Sequence, residues 1–519
     1  MSQIRTDNNN GLGNNYAYDG STLHTTKYET KVPSLHKFHI FFYSIIVALL
    51  SVATPFLTEF ANNLQSQNLY VGMMLTKGQI PYSDIFTTGG MLYFVMIALS
   101  YFLGSTIWLV LVEVLCFYLA GVYFYKLVNY FASSQKIAAT FTFLFFVMNL
   151  VFGFGGLYPI QFAMPLILVS LWNLTKYFAG LIKDEAFILL GIAGAMAMLI
   201  EPKTLVYFVL SSIAVIVFNS KNRHLARGFY QLLAALFGML LIFYIAGYFI
   251  LNLQILGPYF KQAFVYQFTN FNLGTYPLVI GILVQFAICL ASGLLFGPIY
   301  FMKKHKSDAD AMVKWVILAS ILIYLLMAVL SGDVIAYHQL FLLPFGLILT
   351  AVPIAHQFNI SLNQGNHRRS RGKKGMGPVL QFYFTKCLYL PILLLVGLLT
   401  FQYMTISKEI TANKERHQIV QTLKKKIQPG QAIYVWDTNS IIYQQTVAKS
   451  ASHFASPVIN TNNLKNKQML YDELLQNKAK YIIVNKKLKV PEKVKKILRK
   501  NLKLDEKVNL SGFAIYKKK

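Results

Sequence analysis

The sequence predicts a polytopic α-helical membrane protein with a small α/β domain at its C-terminal end. Hydrophobic residues make up 55% of the 519-residue chain and charged residues only 13%. Apolar runs of about 20 residues, the length needed to cross a bilayer, recur through residues 37–405. Only a helix satisfies its own backbone polar groups over such a length of lipid, so a soluble enzyme is excluded.

The N-terminal segment differs in composition from the rest of the chain. Residues 1–36 are rich in Asn, Gly, Thr and Tyr, which predicts a disordered cytoplasmic tail with too little apolar content to fold. Because no short apolar segment is followed by a small-residue cleavage site, we expect the first apolar run to remain as a signal anchor. The three cysteines fall inside apolar runs, where they are expected to act as small buried hydrophobes.

Twelve apolar runs are candidate membrane spans. They cover residues 38–58, 90–104, 106–127, 137–154, 157–176, 187–200, 203–219, 229–252, 276–301, 313–331, 338–357 and 382–404. Three connecting segments are rich in Lys and Arg and are predicted to be cytoplasmic: 219–228, 303–314 and 359–380.

The same rule predicts where the ends of the chain lie. Lys27, Lys31 and Lys37 place the N-terminus in the cytoplasm, which puts the loop at 59–89 outside. The last span then exports the C-terminal domain. Since twelve crossings would return that domain to the cytoplasm, the region 90–177 must contain one extra crossing or one helix that does not cross. We therefore predict 11 or 13 spans.

Residues 406–519 are predicted to form a basic extracytoplasmic α/β domain. Strand patterns at 431–436, 481–484 and 513–516 alternate with helical patterns, the first running to about Phe454, the second starting at Asn466 and the third opened by Pro491. The domain carries 24 Lys and Arg against eight acids, a net charge of +16. Two interpretations stay open: attraction to anionic lipids or polyanions, or an ordinary solvated surface.

Acidic residues are scarce in the membrane part. Nine of the 20 Asp and Glu lie between residues 37 and 405, and four of them sit in short Lys-containing loops. The remainder are Glu59, Asp84, Glu113, Glu201 and Asp333. Any acid–base residue of the bundle has to come from this set.

The loop at 59–89 is the strongest candidate for chemistry. Glu59 follows the first apolar run at the predicted water interface, so it is a candidate general base or acceptor-holding carboxylate, or else it merely ends the helix. Asp84 lies in the turn-rich segment Pro81-Tyr82-Ser83-Asp84 as its predicted partner. Lys77 and Tyr82 are candidate substrate-binding residues. The stretch 62–76 between the acids is predicted to lie along the interface as short helices or to pack against the bundle.

Two other outer turns carry candidate phosphate-binding residues. At Glu201-Pro202-Lys203 the proline interrupts a helix, and the lysine is a candidate point charge for a lipid-linked phosphate. Tyr337 and His338 form a second turn, where the imidazole is a candidate donor to a phosphate oxygen. Each site also has an ordinary structural interpretation, as a tight turn or as a hydrogen-bonded interfacial histidine. Glu113, inside a span, must face protein or a cavity.

Several motifs are missing from the sequence. It contains no Gly-x-x-x-x-Gly-Lys-Ser/Thr loop, no Gly-x-Gly-x-x-Gly after a strand, no His-Glu-x-x-His and no Cys-x-x-Cys. We therefore expect an activated lipid rather than a nucleotide as substrate, no bound cofactor and no nucleic-acid partner. Whether a divalent metal is needed stays open.

The order of these features resembles the GT-C superfamily of integral membrane glycosyltransferases. The resemblance is to bacterial relatives of glycosyltransferase family 39, the protein O-mannosyltransferase-like and aminoarabinose-transferase-like enzymes. It rests on an acid after the first span, Glu59, and on Gly78-Gln79-Ile80-Pro81-Tyr82-Ser83-Asp84, which is similar to the family's Gly-x-x-Pro-Tyr-x-Asp. The turns at Glu201-Pro202-Lys203 and Tyr337-His338 also look like family features. Two departures are Glu in place of Asp at 59 and Gly104-Ser105-Thr106 in place of Arg-Leu-Pro.

The resemblance implies a GT-C-like catalytic bundle over residues 37–405 and an undecaprenyl-phosphate sugar as donor. We expect transfer to an acceptor hydroxyl on the outer face of the plasma membrane, in a cell-wall polymer such as a teichoic acid, a lipid or a protein. Expected partners are membrane lipids, this cell-envelope acceptor and membrane proteins that make or flip the donor. The alternatives are a transporter or flippase of a lipid-linked saccharide and a non-catalytic scaffold.

Overall fold

The computed structural model describes residues 31–270, 277–305, 308, 310–332, 334–364, 375–505 and 510–519. The predicted tail up to residue 30, Asp333 and the basic stretch 365–374 lie outside the described residues. The chain is 71% helical with a small sheet near its C-terminus. Within the described ranges, seven helices are long and apolar enough to cross a membrane, or eight if one bent pair counts as a span.

Each of the twelve predicted runs contains a helix. In chain order the helices are α1 Ser34–Leu49, α2 Asn63–Leu75, α3 Met91–Phe102, α4 Ile107–Ala132, α5 Gln135–Phe152, α6 Pro159–Phe178, α7 Ala186–Ile200, α8 Leu205–Lys221, α9 Leu225–Asn252, α10 Leu256–Tyr259, α11 Gln267–Thr269, α12 Leu278–Ala291, α13 Phe296–Lys304, α14 Ala311–Leu330, α15 Leu343–Gln364, α16 Gly377–Lys386 and α17 Leu390–Lys424. A π-helix, Phe260–Tyr266, joins α10 to α11.

Two predicted spans differ from the observed helices. The first was expected to reach residue 58 but its helix ends at Leu49, because the chain turns there and Val52 donates its backbone N–H to the Gly155 carbonyl at 2.7 Å. The run 276–301 is not one straight helix, since α12 and α13 meet at a 72° bend. Gly293 in that bend has φ +75°, a left-handed conformation that glycine adopts without a steric penalty.

Helix α3 begins beside Leu157. Tyr93, in its first turn, donates its hydroxyl to the Leu157 carbonyl at 2.7 Å. Glu113, close to the start of the next helix, accepts the Leu157 backbone N–H at 3.1 Å. Helix α3 also packs against α2 as a hairpin, and its 12 residues span about 18 Å, too short for a bilayer. Within the region 90–177, α3 is the shortest helix.

The loop at 59–89 leads into a buried helix. Helix α2 starts with a capping box in which the Asn62 side chain accepts the Gln65 N–H and the Gln65 side chain accepts the Asn62 N–H. Every residue from Gln65 to Met74 is buried. The two sequence-based alternatives are therefore resolved in favour of packing: α2 lies between the bundle and the C-terminal domain, with Tyr70 donating to the Ala448 carbonyl.

The C-terminal domain is a three-layer α/β sandwich. Its strands are β1 Ala432–Trp436, β2 Lys449–Ser450, β3 Tyr481–Asn485, β4 Leu502–Leu504 and β5 Phe513–Lys518, and its helices are α18 Ile441–Thr446, α19 Leu464–Leu475 and α20 Glu492–Asn501. The sheet order is β2-β1-β3-β5-β4, with β1 parallel to β2 and β3, and β5 antiparallel to β3 and β4.

Alternate strand residues face opposite layers. Ile433, Val435 and Ile483 pack with α17 and α18, whereas Tyr434 and Ile482 pack with α19 and α20. The carboxyl end of β1 meets the bundle, since Asn439 donates to the Ala61 carbonyl at 2.9 Å. We call the end of the bundle that receives this domain the domain end.

The predicted boundary between residues 405 and 406 falls inside one helix. Helix α17 runs without interruption from the bundle into the C-terminal domain. There Arg416, 1% exposed, forms two hydrogen bonds to the Asp437 carboxylate, at 2.7 and 3.1 Å. The composition changes at this boundary because the helix leaves its apolar surroundings there, although the helix itself continues to Lys424.

Candidate functional site

Glu59 lies at the junction between the bundle and the C-terminal domain. It sits in a 3-10 turn, Thr58–Phe60, directly before α2. Its carboxylate Oε2 is 2.8 Å from Nε2 of His417 on α17, and the two side chains are 32% and 44% exposed. Its backbone carbonyl accepts Asn413 Nδ2 at 2.9 Å. Glu59 therefore combines a half-buried carboxylate–imidazole pair with a structural contact.

Asp84 uses its carboxylate to close its own turn. Oδ2 accepts the Ile80 backbone N–H at 2.7 Å, and the Asp84 N–H returns a bond to the Ile80 carbonyl at 2.8 Å. The residue is exposed, as is Lys77 at the end of α2. The turn geometry therefore accounts for one oxygen of this carboxylate.

Tyr82 is buried within the same loop. Its backbone has φ +70°, and its hydroxyl donates to the Gly89 carbonyl at 2.7 Å. Its ring packs edge-on against Tyr259, with centroids 4.9 Å apart. The loop is also fixed to α7, because a Cβ on Gly90 would lie 2.1 Å from the Leu199 carbonyl oxygen. Tyr82 thus holds the shape of the loop.

Lys203 and His338 line one cavity at the domain end of the bundle. They come from separate 3-10 turns, Pro202–Thr204 and Ala336–Phe341. The wall is completed by Gln267, Asn270, Tyr324, Met327, Ala328, Ser331 and Phe341. The cavity has a volume of about 20 Å³, enough for one or two water molecules, so a larger ligand requires these segments to separate. Its wall contains neither Glu59 nor Asp84.

Glu201 is joined to two residues of this cavity. The carboxylate is buried, accepts the Lys203 backbone N–H at 3.2 Å and interacts with the Gln267 side chain. Gln267 in turn donates to the carbonyl of Thr88 in the 59–89 loop. The cavity and the 59–89 loop are therefore joined through one amide side chain.

Tyr337 connects the same cavity to the start of α2. Its ring stacks on Tyr158 with centroids 4.8 Å apart and an interplanar angle of 3°. The Tyr158 hydroxyl accepts Asn62 Nδ2 at 2.8 Å. Tyr337 also lies against the imidazole of His338, with ring centroids 4.0 Å apart. This aromatic contact leads from the cavity toward the segment that carries Glu59.

Glu113 is buried under the glycine-rich break at 153–156. One carboxylate oxygen accepts the Ser51 hydroxyl and the Leu157 N–H, each at 3.1 Å. Gly156 has φ +62°, and a Cβ there would lie 2.6 Å from the Ser51 hydroxyl oxygen. The prediction that Glu113 faces protein is confirmed, and its bonds hold the break against the first helix.

Two family profiles together match nearly the whole chain. Residues 25–409 match the family described as "Putative competence-induced protein Ccs4 N-terminal domain", and residues 413–519 match "Putative competence-induced protein Ccs4 C-terminal domain". The chain belongs to the Ccs4 family. No curated protein matches it. The two matched ranges meet at residues 409–413, within helix α17.

In this Ccs4-family chain a second histidine–carboxylate pair lies within the C-terminal domain beside the loop. Glu473 accepts the His453 N–H at 3.0 Å and contacts its ring, which raises the pKa of His453; Asp84 adds a smaller effect of the same sign. Burial opposes the shift of Glu473, but the bonds from His453 and Ser452 lower its pKa overall. Phe86 of the loop donates its N–H to the His453 carbonyl at 2.8 Å.

Sequence reasoning missed four residues of these sites. They are His417 beside Glu59, and Gln267, Asn270 and Tyr324 in the cavity wall. No local signal marks them, because His417 is 358 positions from Glu59 and amides or tyrosines in apolar runs are common. In the part of the chain that the structure describes, no group of three or more His, Cys, Asp or Glu is placed to hold a metal ion.

Proposed function

We propose that this Ccs4-family protein is a membrane glycosyltransferase that moves a sugar from a polyprenyl-phosphate carrier to an acceptor hydroxyl on the outer face of the plasma membrane. The observation that carries the proposal is the shared cavity of Lys203 and His338. An ammonium and an imidazole from turns about 135 positions apart converge at one end of an apolar bundle, where few charges are tolerated.

The donor phosphate is proposed to lie between these two side chains. Lys203 supplies a compact point charge, and a protonated or Nε2–H imidazole of His338 donates to a phosphate oxygen. The amides of Gln267 and Asn270 in the same wall suit sugar hydroxyls as donors and acceptors. A separation of the turns, as the small volume requires, would admit the lipid-linked sugar.

The acceptor is proposed to be activated by Glu59 with His417. The acceptor oxygen attacks the anomeric carbon, the carbon–oxygen bond to the phosphate breaks, and the electron pair leaves with the phosphate. The acceptor proton goes to the Glu59 carboxylate, which His417 contacts at 2.8 Å. This single displacement inverts the anomeric centre, and a positioned base of this kind contributes about 10²–10⁴-fold to rate.

Asp84 is assigned a positioning role in this scheme. Its carboxylate holds the turn that carries Tyr82, and the same loop contacts Gln267 of the cavity wall through Thr88. We propose this role in loop shape, whereas the sequence predicts that Asp84 is the catalytic partner of Glu59. Lys77, exposed at the end of α2, is kept as a candidate acceptor contact.

The membrane topology consistent with this function has 11 crossings. If α3 does not cross, the apolar runs alternate so that the N-terminus is cytoplasmic and the C-terminal domain extracytoplasmic. The described basic segments at 221–228 and 303–305 then lie at the opposite end of the bundle from that domain, as the positive-inside rule requires. Partner membrane proteins would make or flip the donor.

A flippase for a lipid-linked saccharide is the second candidate. It is favoured by the 72° bend between α12 and α13 and by the π-helix Phe260–Tyr266, since interrupted helices are common in transporters. The two candidates differ in one respect: a flippase moves the donor without breaking its sugar–phosphate bond.

The test is sugar transfer from radiolabelled polyprenyl-phosphate sugar by the full chain in proteoliposomes. We expect transfer by the native protein and losses of about 100-fold or more in Lys203→Met and His338→Gln. Matched controls are Lys303→Met and His305→Gln at the C-terminal end of α13, which lie outside the cavity wall and should retain activity. Transport of intact donor with no released polyprenyl phosphate would instead support the flippase.

A further inference from the structure

The C-terminal domain carries a positively charged surface far from the cavity. We call it the lysine end, and it consists of Lys480, Arg499, Lys500, Lys503, Lys517, Lys518 and Lys519. These residues lie at the start of β3, the end of α20, the edge strand β4 and the end of β5. They meet there because Lys518 donates its N–H to the Lys480 carbonyl and Lys519 donates its N–H to the Asn501 carbonyl, at 3.0 and 3.2 Å.

Three of the ammonium groups of this surface, those of Lys480, Lys518 and Lys519, are held by neutral oxygens. Lys519 Nζ donates to the carbonyls of Arg499 and Lys500, at 3.1 and 3.0 Å. Lys518 Nζ donates to the Asn477 carbonyl at 2.9 Å, and Lys480 Nζ donates to the Lys426 carbonyl at 3.2 Å. Because a carbonyl fixes a lysine without cancelling its charge, the positive potential stays available to a partner.

Two of these lysines face each other directly. Lys503 on β4 and Lys517 on β5 are opposite partners in the antiparallel ladder, and both are exposed. Like charges in this position destabilise a sheet. A lysine on an edge strand can be explained by protection against aggregation, but that reason does not cover Lys480 or the fixed lysines of the C-terminus. An anionic partner explains the whole set.

The position of the surface argues against the lipid bilayer as that partner. The opposite end of the sheet contacts the bundle, where Asn439 donates to the Ala61 carbonyl. The lysine end lies one strand length away, about 17 Å farther out for a five-residue strand. It therefore points away from the membrane, toward polymers outside it.

The side chains around it argue against nucleic acid. Binding of single-stranded nucleic acid relies on aromatic side chains on which bases stack. Among the described residues of 406–519, no Phe, Tyr or Trp is exposed. We infer that the lysine end binds a base-free polyanion whose charges are phosphodiester groups along a flexible chain, such as a polyol phosphate. This inference stands independently of sugar transfer by the bundle.

The test is binding of fluorescently labelled poly(glycerol phosphate) to the full chain in nanodiscs of zwitterionic lipid. The variant Lys503→Glu/Lys518→Glu should bind at least ten-fold more weakly at about 0.15 M salt, with a shallower salt dependence. Its melting temperature should be unchanged or higher, because the carboxylate introduced at position 503 would face Lys517 as an opposite charge. Losing binding without losing stability separates a docking role from a folding role.

The matched control is Lys465→Glu/Lys467→Glu, the same change in net charge on the exposed start of α19. That helix start faces the bundle, since Asn463 Nδ2 contacts Asn270 at 2.8 Å. Equal losses in both variants would overturn the inference, as would no binding by the native chain. Tighter binding of a single-stranded DNA with the same number of charges, or of anionic vesicles, would also overturn it.

Discussion

The 59–89 loop and the Lys203–His338 cavity differ in how their charged residues find their partners. The loop holds the acids that are most conspicuous in the sequence, yet Asp84 closes its own turn and Glu59 pairs with His417 at a domain junction. The cavity holds residues whose motifs are short and ordinary, yet they converge from two distant turns.

The difference lies in how far apart the interacting residues are in the chain. A turn aspartate finds its partner four residues away, so local geometry is enough to explain it. Lys203 and His338 have no local reason to meet, and their shared cavity depends on packing of the whole bundle. Convergence over a long sequence separation is the stronger indication of a site.

The largest expected effect is a difference in kinetic constants between variants of the loop and variants of the cavity. Glu59→Gln should lower kcat for transfer by about 10²–10⁴-fold with little change in the KM for donor, because it removes a base without touching the phosphate. Lys203→Met should raise the KM for donor as well. Measurement of initial rates over a range of donor concentrations separates these outcomes. Full activity in Glu59→Gln would show that the general base does not lie in this loop.

A second prediction concerns the buried ion pair that joins α17 to the end of β1 within the C-terminal domain. Arg416→Met leaves the buried Asp437 carboxylate unpaired and should cost about 3–5 kcal/mol. The control is Arg227→Met, whose pair with Asp184 is exposed and worth about 0.2–1 kcal/mol. Thermal unfolding of the full chain, followed by circular dichroism, measures both. Equal losses of stability in the two variants would show that the buried Arg416–Asp437 pair contributes no more to stability than the exposed Arg227–Asp184 pair.

A third prediction separates loop shape from catalysis at Asp84. Asp84→Ala should lose a turn hydrogen bond worth about 1 kcal/mol and raise hydrogen exchange at the Ile80 amide, with a partial loss of transfer. Asp84→Asn keeps an acceptor oxygen and should retain both the protected amide and most of the activity. A large loss of transfer in Asp84→Asn, with the amide still protected, would restore a catalytic role.

The smallest expected effect is a pH dependence at the domain–loop contact. Since the folded-state pKa of His453 is raised, its contribution to stability is complete below its ordinary value of 6.5 and is lost as pH rises through the folded pKa. The lowered pKa of Glu473 acts at the acid side, where stability falls as pH drops through its folded value. The melting temperature of His453→Gln, measured between pH 5 and 9, should lose the change above about pH 6.5. An unchanged profile would contradict the pairing.

Much of the fold follows from the sequence because apolar run length is a local property. All twelve runs contain helices, and the strand patterns at 431–436, 481–484 and 513–516 are strands. The sequence also showed that twelve crossings would return the C-terminal domain to the cytoplasm, so that the region 90–177 must contain one extra crossing or one helix that does not cross. Our proposal that α3 is the helix that does not cross depends on the length of this helix and on its contacts with α2 and Leu157, which the structure supplies.

The candidate site was predictable only in part. Lys203 and His338 could be named from turn chemistry, but their proximity could not. His417 lies in a polar helix that the sequence assigns to a separate domain, so its contact with Glu59 depends on how α17 carries that domain back onto the loop. Tyr82 was named as substrate-binding, and its burial follows from a left-handed backbone that turns its side chain inward.

The central claim, that Lys203 and His338 hold the donor phosphate, is tested most directly by binding without turnover. Radiolabelled polyprenyl-phosphate sugar would be bound to the full chain in nanodiscs with no acceptor present. We predict native affinity in Glu59→Gln and a loss of at least about ten-fold in Lys203→Met/His338→Gln, one charge-assisted contact or more. Equal binding by all three proteins would contradict the account.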